Sequence, residues 1–143
     1  MNKIAIASDH KGFNLKEKIK SLLESLSYKV IDCGTKSADV SVDYPDYAKL
    51  VCEQIVENGI KMGILICGTG IGMSICANRL SKIRAAMCHN QYMAFKARSH
   101  NDANVLVLGS KIVSTSEAQD IVKTFLTRGF EGGRHIKRLE KIH

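Results

Sequence analysis

Cys67 stands between an apolar run, Ile64 to Ile66, and a loop with glycine at positions 68, 70 and 72. Glycines at a strand-to-helix junction let the backbone turn tightly, and the amides of the following helix's first turn point at an anion. Those amides and the helix dipole also favour negative charge on a sulfur beside them. The pattern offers a thiolate next to donors for a developing oxyanion, which suits proton transfer or nucleophilic attack. A second polar group, Ser8-Asp9-His10, follows the first apolar run, and His100-Asn101 precedes the last. Arg134 and Arg138 are four apart, on one helical face, and suit a phosphate as forked donors.

Each of these residues also has a plainer explanation. Cys67 can be a buried thiol ending a strand, Asp9 a helix N-cap, and Arg134 with Arg138 part of a solvated basic tail. Spacing removes some sharper alternatives. A dinucleotide fingerprint needs GxGxxG after the first strand and an acid about 20 residues on; here the glycines read GxGxG and follow the third strand. A cysteine phosphatase needs arginine six positions past its nucleophile, where this chain has Met73, and the GK[ST] of a Walker loop is absent.

The elements that must position these residues alternate strand and helix throughout. KIAIAS (3–8), YKVID (28–32), MGILI (62–66), IRAAMC (83–88) and NVLVLG (104–109) read as strands. Leu15, Ile19, Leu22, Leu23 and Leu26 have helix spacing, as do Ala48, Val51, Cys52, Ile55 and Val56, which follow a polar loop over 33–45 ending in Pro45 and stop at Asn58-Gly59. Helical stretches are expected at about 70–80 and 91–99. Ser114 and Glu117 form a capping box for a helix carrying Ala118, Ile121, Val122, Phe125 and Leu126, which Gly129 ends. A short basic helix closes the chain. The near-continuous apolar strands at 62–66 and 104–109 suit a parallel sheet buried on both faces. The expectation is one α/β domain over 1–143, in three α/β/α layers.

Composition narrows the functional classes. The net charge of +7 is compatible with nucleic acid, an acidic surface or an anionic metabolite. Part of the excess lies in the terminal stretch 128–143, with Arg128, Arg134, Lys137, Arg138 and Lys141 against Glu131 and Glu140. There is no aromatic stacking platform or nucleic-acid motif. The five cysteines, at 33, 52, 67, 76 and 88, show no CxxC spacing. MNKIAIASDH has no signal-peptide pattern, so reduced thiols in a cytoplasm are expected, without a structural zinc site. No apolar run approaches the roughly 20 residues of a membrane span.

The segments IASDHKGFNLK, DYPDYA, ILICGTGIGMSICANR, RSHNDANVLVLGSK and FEGGRHIKRLE resemble the B-type ribose-5-phosphate isomerase family, which includes allose-6-phosphate and galactose-6-phosphate isomerases. The resemblance covers essentially the whole chain in order. It implies an aldose–ketose isomerase acting on a sugar phosphate, a Rossmann-like five-stranded parallel sheet, a dimer or tetramer, and no metal or organic cofactor. By this resemblance Cys67 is the proton acceptor for enediolate formation. The Thr69 hydroxyl and the amides of Gly68, Gly70, Ile71 and Gly72 are donors to the substrate. His100 protonates the ring oxygen of a closed sugar, Asp9 and His10 reach hydroxyls and phosphate, and Arg134 and Arg138 grip the phosphate. Asn101 and Lys111 are carried over as binding positions. At 111 many relatives have arginine, and lysine keeps the charge without the fork. Some relatives place a carboxylate further along the glycine loop. No Asp or Glu occurs from 63 to 83, where the slot falls at Cys76 or a neighbour, which favours Cys67 as the base.

Three alternatives stay open at this level: a hexose 6-phosphate substrate, a cysteine hydrolase pairing Cys67 with His100, and a nucleic-acid binder. Topology adds an expectation. Cys67 follows the third strand and His100 precedes the fifth, so a parallel sheet puts them at opposite edges. A homodimer, or a dimer of dimers, with active sites shared between subunits would reunite them.

Overall fold

The apolar runs form β1 (Lys3–Ser8), β2 (Lys29–Asp32), β3 (Gly63–Cys67), β4 (Ala85–Met87) and β5 (Val105–Gly109). Between and after them lie α1 (Phe13–Ser25), α2 (Tyr44–Asn58), α3 (Ile71–Ala77), α4 (Gln91–Ser99), α5 (Thr115–Thr127) and α6 (Arg134–Glu140). This computed structural model describes residues 2–142. Met1 and His143, the outer ends of the N-terminal stretch and of the basic tail considered above, lie outside the described residues.

The strands form one five-stranded sheet in the order β2-β1-β3-β5-β4. Every pairing is parallel. β3 and β5 are buried at all their positions, as expected of central parallel strands covered on both faces. Strand alternation divides the core in two. Ile4, Ile6, Ile64, Ile66, Leu106 and Leu108 face α1, α4 and α5 through Leu15, Ile19, Leu23, Ala94, Ala97, Ile121 and Phe125. Ala5, Ala7, Leu65, Cys67, Val105 and Val107 face α2 and α3 through Ala48, Val51, Cys52, Met73 and Ala77. Burying one such large aliphatic side chain stabilises the fold by roughly 1.5–3 kcal/mol, so these two rows dominate the packing.

Local signals account for most boundaries. Ser114 accepts the Glu117 amide at 3.1 Å while the Glu117 carboxylate accepts the Ser114 amide at 2.8 Å, the reciprocal cap expected from spacing. Gly59 ends α2 in the left-handed region, at φ 72°. Four boundaries stand out as different from the sequence expectation. Pro45 lies inside the first turn of α2 rather than before it, a position where its missing N–H costs nothing. α3 is shorter than 70–80, because the Asn78 side chain turns away to donate to the Ala85 carbonyl and accept its amide. That same pair starts β4 at Ala85 rather than 83. β3 extends through Cys67, so the cysteine is the last strand residue and its Cβ direction is fixed by the sheet.

Candidate active site

The chain leaves β1 for one neighbour, β2, and later enters the sheet on β1's other side as β3. Such a switch point opens a crevice at the carboxyl ends of the two strands. The residues ending those strands are Ser8, followed by Asp9, and Cys67. The Asp9 amide donates to the Ile66 carbonyl at 3.2 Å. Glycine is required where the two turns cross, since a Cβ on Gly12 would lie 2.5 Å from the Ile66 carbonyl oxygen.

Cys67 is almost fully buried. The Gly70 amide donates to its sulfur at 3.2 Å. Gly70 reaches that position with φ +84°, and its missing side chain leaves room for Met87 and Val107. The Ile71 amide donates to the Thr69 hydroxyl at 3.2 Å. Two amides of the loop are thus committed to the thiol and the hydroxyl. The remaining N–H groups of the first turn of α3 have no intrahelical acceptor and are the donors available to a ligand. Burial pushes the Cys52 thiol up to about 11, with Cys76 and Glu53 adding to it, and the Cys88 thiol up to about 12. Burial, and then the charge of Asp32, also raises Cys33. These three stay protonated at neutral pH and do not compete as bases. All five cysteines are free.

Asp9 is buried and accepts the Gly12 amide at 3.0 Å. It therefore fixes the β1–α1 turn, although the helix cap itself is Gly12. The Val42 amide donates to His10 Nδ1 at 3.1 Å, which leaves the proton of the neutral ring on Nε2. His10, Lys11, Lys18, Ser110, Lys111 and Thr115 line an open groove of about 430 Å³. The Lys111 amide donates to the Gly68 carbonyl at 2.9 Å, and the Lys11 and Lys111 stems flank Gly68. Asp9, His10, Gly68, Thr69, Gly70, Ile71, Gly72 and Lys111 therefore gather with Cys67 around one sheet edge.

His100, Asn101, Arg134 and Arg138 do not join them. His100 ends α4, and five residues later β5 begins at Val105, paired with Gly63. Cys67 pairs with Gly109, about 13 Å further along the strand at ~3.3 Å per residue. The fifth strand is parallel, so Cys67 and His100 belong to opposite edges of the sheet. Arg134 and Arg138 are exposed on α6, and His135 between them stacks on His100 with ring centroids 4.1 Å apart.

His100, Glu131 and His135 bring three potential metal-ligand atoms within 4.8 Å of one another. The geometry is wrong for an ion. The imidazole planes are stacked and only 23° apart, so they converge far beyond the ~2.0–2.1 Å of a zinc–nitrogen bond. The ammonium of Lys96 also stands 3.4 Å from His100 Nε2.

Sequence reasoning missed Tyr44 and Lys11. A Cβ on Gly72 would lie 2.4 Å from the Tyr44 ring, so Tyr44 roofs the glycine loop from the start of α2. The available signal was a tyrosine before proline in DYPDYA, at a helix start that topology brings to the same sheet edge. Lys11 sits in the β1–α1 turn beside residues already chosen, and a lone exposed lysine carries no distinguishing pattern. Among the described residues, no helix is long and apolar enough to cross a membrane.

A family model described as Ribose/Galactose Isomerase matches residues 4–142. Ribose-5-phosphate isomerase B of Escherichia coli is 46% identical over 142 residues, which cover 99% of this chain and 95% of that protein. A crystal structure of a ribose 5-phosphate isomerase from Thermotoga maritima matches the fold with a TM-score of 0.96. Its identity is 55%, and the match covers 99% of this chain and 97% of the other. The structure of ribose-5-phosphate isomerase B from Mycoplasma genitalium with bound ribulose-5-phosphate matches with a TM-score of 0.93. It is 45% identical, over 98% of this chain and 93% of the other.

Proposed function

The chain belongs to the ribose/galactose isomerase family, and on that premise we propose that it interconverts ribose 5-phosphate and ribulose 5-phosphate with Cys67 as the base. The observation that carries this reading is the Cys67 sulfur, held at the end of β3 by the Gly70 amide at 3.2 Å. Isomerisation moves a proton between C2 and C1 through an enediolate, so one base must take a proton from one carbon and return it to the next. The thiolate of Cys67 fills that role, with the Gly70 amide holding the sulfur in place. The Thr69 hydroxyl and the free amides of the first turn of α3 face the oxygen on which negative charge develops. Asp9 and His10 bind sugar hydroxyls and phosphate, with Lys111 beside them.

The sugar enters closed, and His100 protonates its ring oxygen as the ring C–O bond breaks. Because His100 and Asn101 belong to the edge of the sheet opposite Cys67, the working unit is a homodimer, or a dimer of such dimers. In it, His100 and Asn101 of the partner subunit complete each Cys67 pocket, and the partner's Arg134 and Arg138 hold the phosphate. The exposed apolar side chains of Ile71 and Ile75 on α3 and of Tyr92 on α4 support a covering subunit. The chain acts as one catalytic domain without metal or organic cofactor, and its five free thiols suit the cytoplasm.

Steady-state rates on ribose 5-phosphate, allose 6-phosphate and galactose 6-phosphate, measured side by side, test the substrate. The pentose should give the highest kcat/KM. A hexose phosphate turned over faster would move the chain to the other branch of the family.

A further inference from the structure

The last turn of α4 and the loop before α6 build a cluster around His100 that the proton-transfer site does not include. The Glu131 amide donates to the Ser99 carbonyl at 3.0 Å, tying the loop to the residue before His100. One oxygen of the Glu131 carboxylate then lies 3.8 Å from His100 Nε2 and 3.7 Å from His135 Nε2. His135 is buried, and among the described residues its Nε2 has no hydrogen-bond partner. A buried polar nitrogen left unpaired costs stability, so its retention here asks for a purpose. Burial first, and then the nearby charges of His100 and Arg134, hold His135 below the ordinary histidine range, so its ring stays neutral. The His100 ring lies face to face on it and keeps about a quarter of its side chain open to solvent. Cationic side chains also stand near the pair: Lys96 on α4, and Arg134 and Arg138 on α6.

We propose that Glu131 and His135 are positioning residues for His100, one a counter-charge and the other a flat neutral floor. Together they would hold the imidazole ready to give its proton to a sugar ring oxygen. The face-to-face contact, with ring centroids 4.1 Å apart, restricts how the His100 ring can tilt. A carboxylate at under 4 Å balances the imidazolium against the surrounding Lys and Arg side chains. In the step served, His100 gives its proton to the ring oxygen while the C1–O bond breaks. The C1 hydroxyl loses its proton to solvent as the carbonyl forms, and solvent reprotonates His100. This inference rests on the ring-opening role proposed for His100.

The test separates ring opening from proton transfer at carbon. Ribulose 5-phosphate has its C5 oxygen esterified and cannot close a furanose ring, so exchange of its C1 hydrogen with D2O needs the base alone. Isomerisation of ribose 5-phosphate needs both steps. Isomerisation and C1 exchange, the latter by NMR, should be measured in Glu131→Gln, His135→Ala, His135→Phe and, as the control, His100→Asn. Glu131→Gln and His135→Ala should lose roughly tenfold or more in isomerisation, as expected of a misplaced proton donor, while exchange stays near the wild-type rate. His135→Phe, which keeps the flat floor, should recover most of the loss. If both rates fall in step, Glu131 and His135 merely support the fold and the proposal is wrong. If neither rate falls while His100→Asn separates the two, the proposal is wrong and the role of His100 stands. If His100→Asn also fails to separate them, the ring-opening reading fails and takes this proposal with it.

Discussion

The backbone amide of Gly70 points at the sulfur of Cys67 across 3.2 Å. The contact exists because Gly70 occupies φ +84°, a conformation that costs other residues about 1–2 kcal/mol. A Cβ there would also press on the Met87 sulfur at 3.0 Å. The glycine loop is therefore a device that turns an N–H back onto the strand's last side chain. That arrangement fixes where the sulfur sits at the end of β3.

Cys67→Ala should leave the fold intact, since it removes one sulfur from a packed face, and should abolish most turnover. Loss of a general base typically costs about 10²–10⁴-fold. Exchange of substrate carbon-bound hydrogen with solvent should fall equally, because both readouts need the same base. Near-normal exchange in a folded variant would remove Cys67 from this role.

Arg134→Ala and Arg138→Ala should each raise KM for the phosphorylated sugar with a smaller effect on kcat. A charge-assisted hydrogen bond is worth about 1.5–3 kcal/mol, so roughly a tenfold rise is expected. Both side chains are exposed in the single chain, so neither change should lower the melting temperature much. Lys111→Arg should be tolerated, because the groove beside Gly68 is open and the charge is kept. Unchanged KM in both alanine variants would return α6 to a solvated basic tail.

Asp32 makes stability depend on acid. Burial alone would raise its carboxyl, but hydrogen bonds from Lys16, Lys20 and the Gly34 amide outweigh that and hold it below its ordinary value of 3.8. The Lys16 ammonium is 2.8 and 2.9 Å from its two oxygens, and that side chain is only 1% exposed. A depressed carboxyl contributes stability that is complete above pH 3.8 and is lost as the pH falls through the lower folded value. Asp32→Asn leaves the buried Lys16 with Glu17 alone and should cost about 3 kcal/mol near neutral pH. Urea midpoints for both proteins, compared across the acid range, should converge as the pH drops below about 4. A gap that stays constant with pH would show that the ion pair is not its source.

Much of this arrangement was legible in the residues. Ile4, Ile64 and Leu106 and their neighbours announce buried parallel strands, because only a sheet covered on both faces tolerates unbroken apolar runs. Ser114 and Glu117 fix the start of α5 by spacing alone. Tyr44 was not legible, because its contact with Gly72 joins residues far apart in sequence and depends on how α2 packs beside α3. The partnership of Glu131 with His100 was hidden for a similar reason. It crosses from the end of α4 to a loop after α5, and no periodicity links those positions.

The parallel pairing of β5 turns the separation of Cys67 and His100 into a test of assembly. Cys67 is level with Gly109 at one end of that strand, and His100 lies before Val105 at the other. A side chain reaches only a few ångströms, so one chain cannot bring both residues to one sugar without unpairing the sheet's central strands. Those strands are fully buried, and unpairing them would expose several large aliphatic side chains at roughly 1.5–3 kcal/mol each. Sharing sites between two subunits avoids that cost. Cys67→Ala and His100→Asn should each be nearly inactive alone. Mixed and allowed to exchange subunits, they should regain activity, because each mixed dimer then holds one doubly damaged pocket and one intact pocket. With equal amounts and random exchange, half the dimers are mixed, so recovery should approach about one quarter of the wild-type rate. Native mass spectrometry of the mixture should confirm that hybrids form. Hybrids without recovered activity would mean that both residues serve the same chain's pocket.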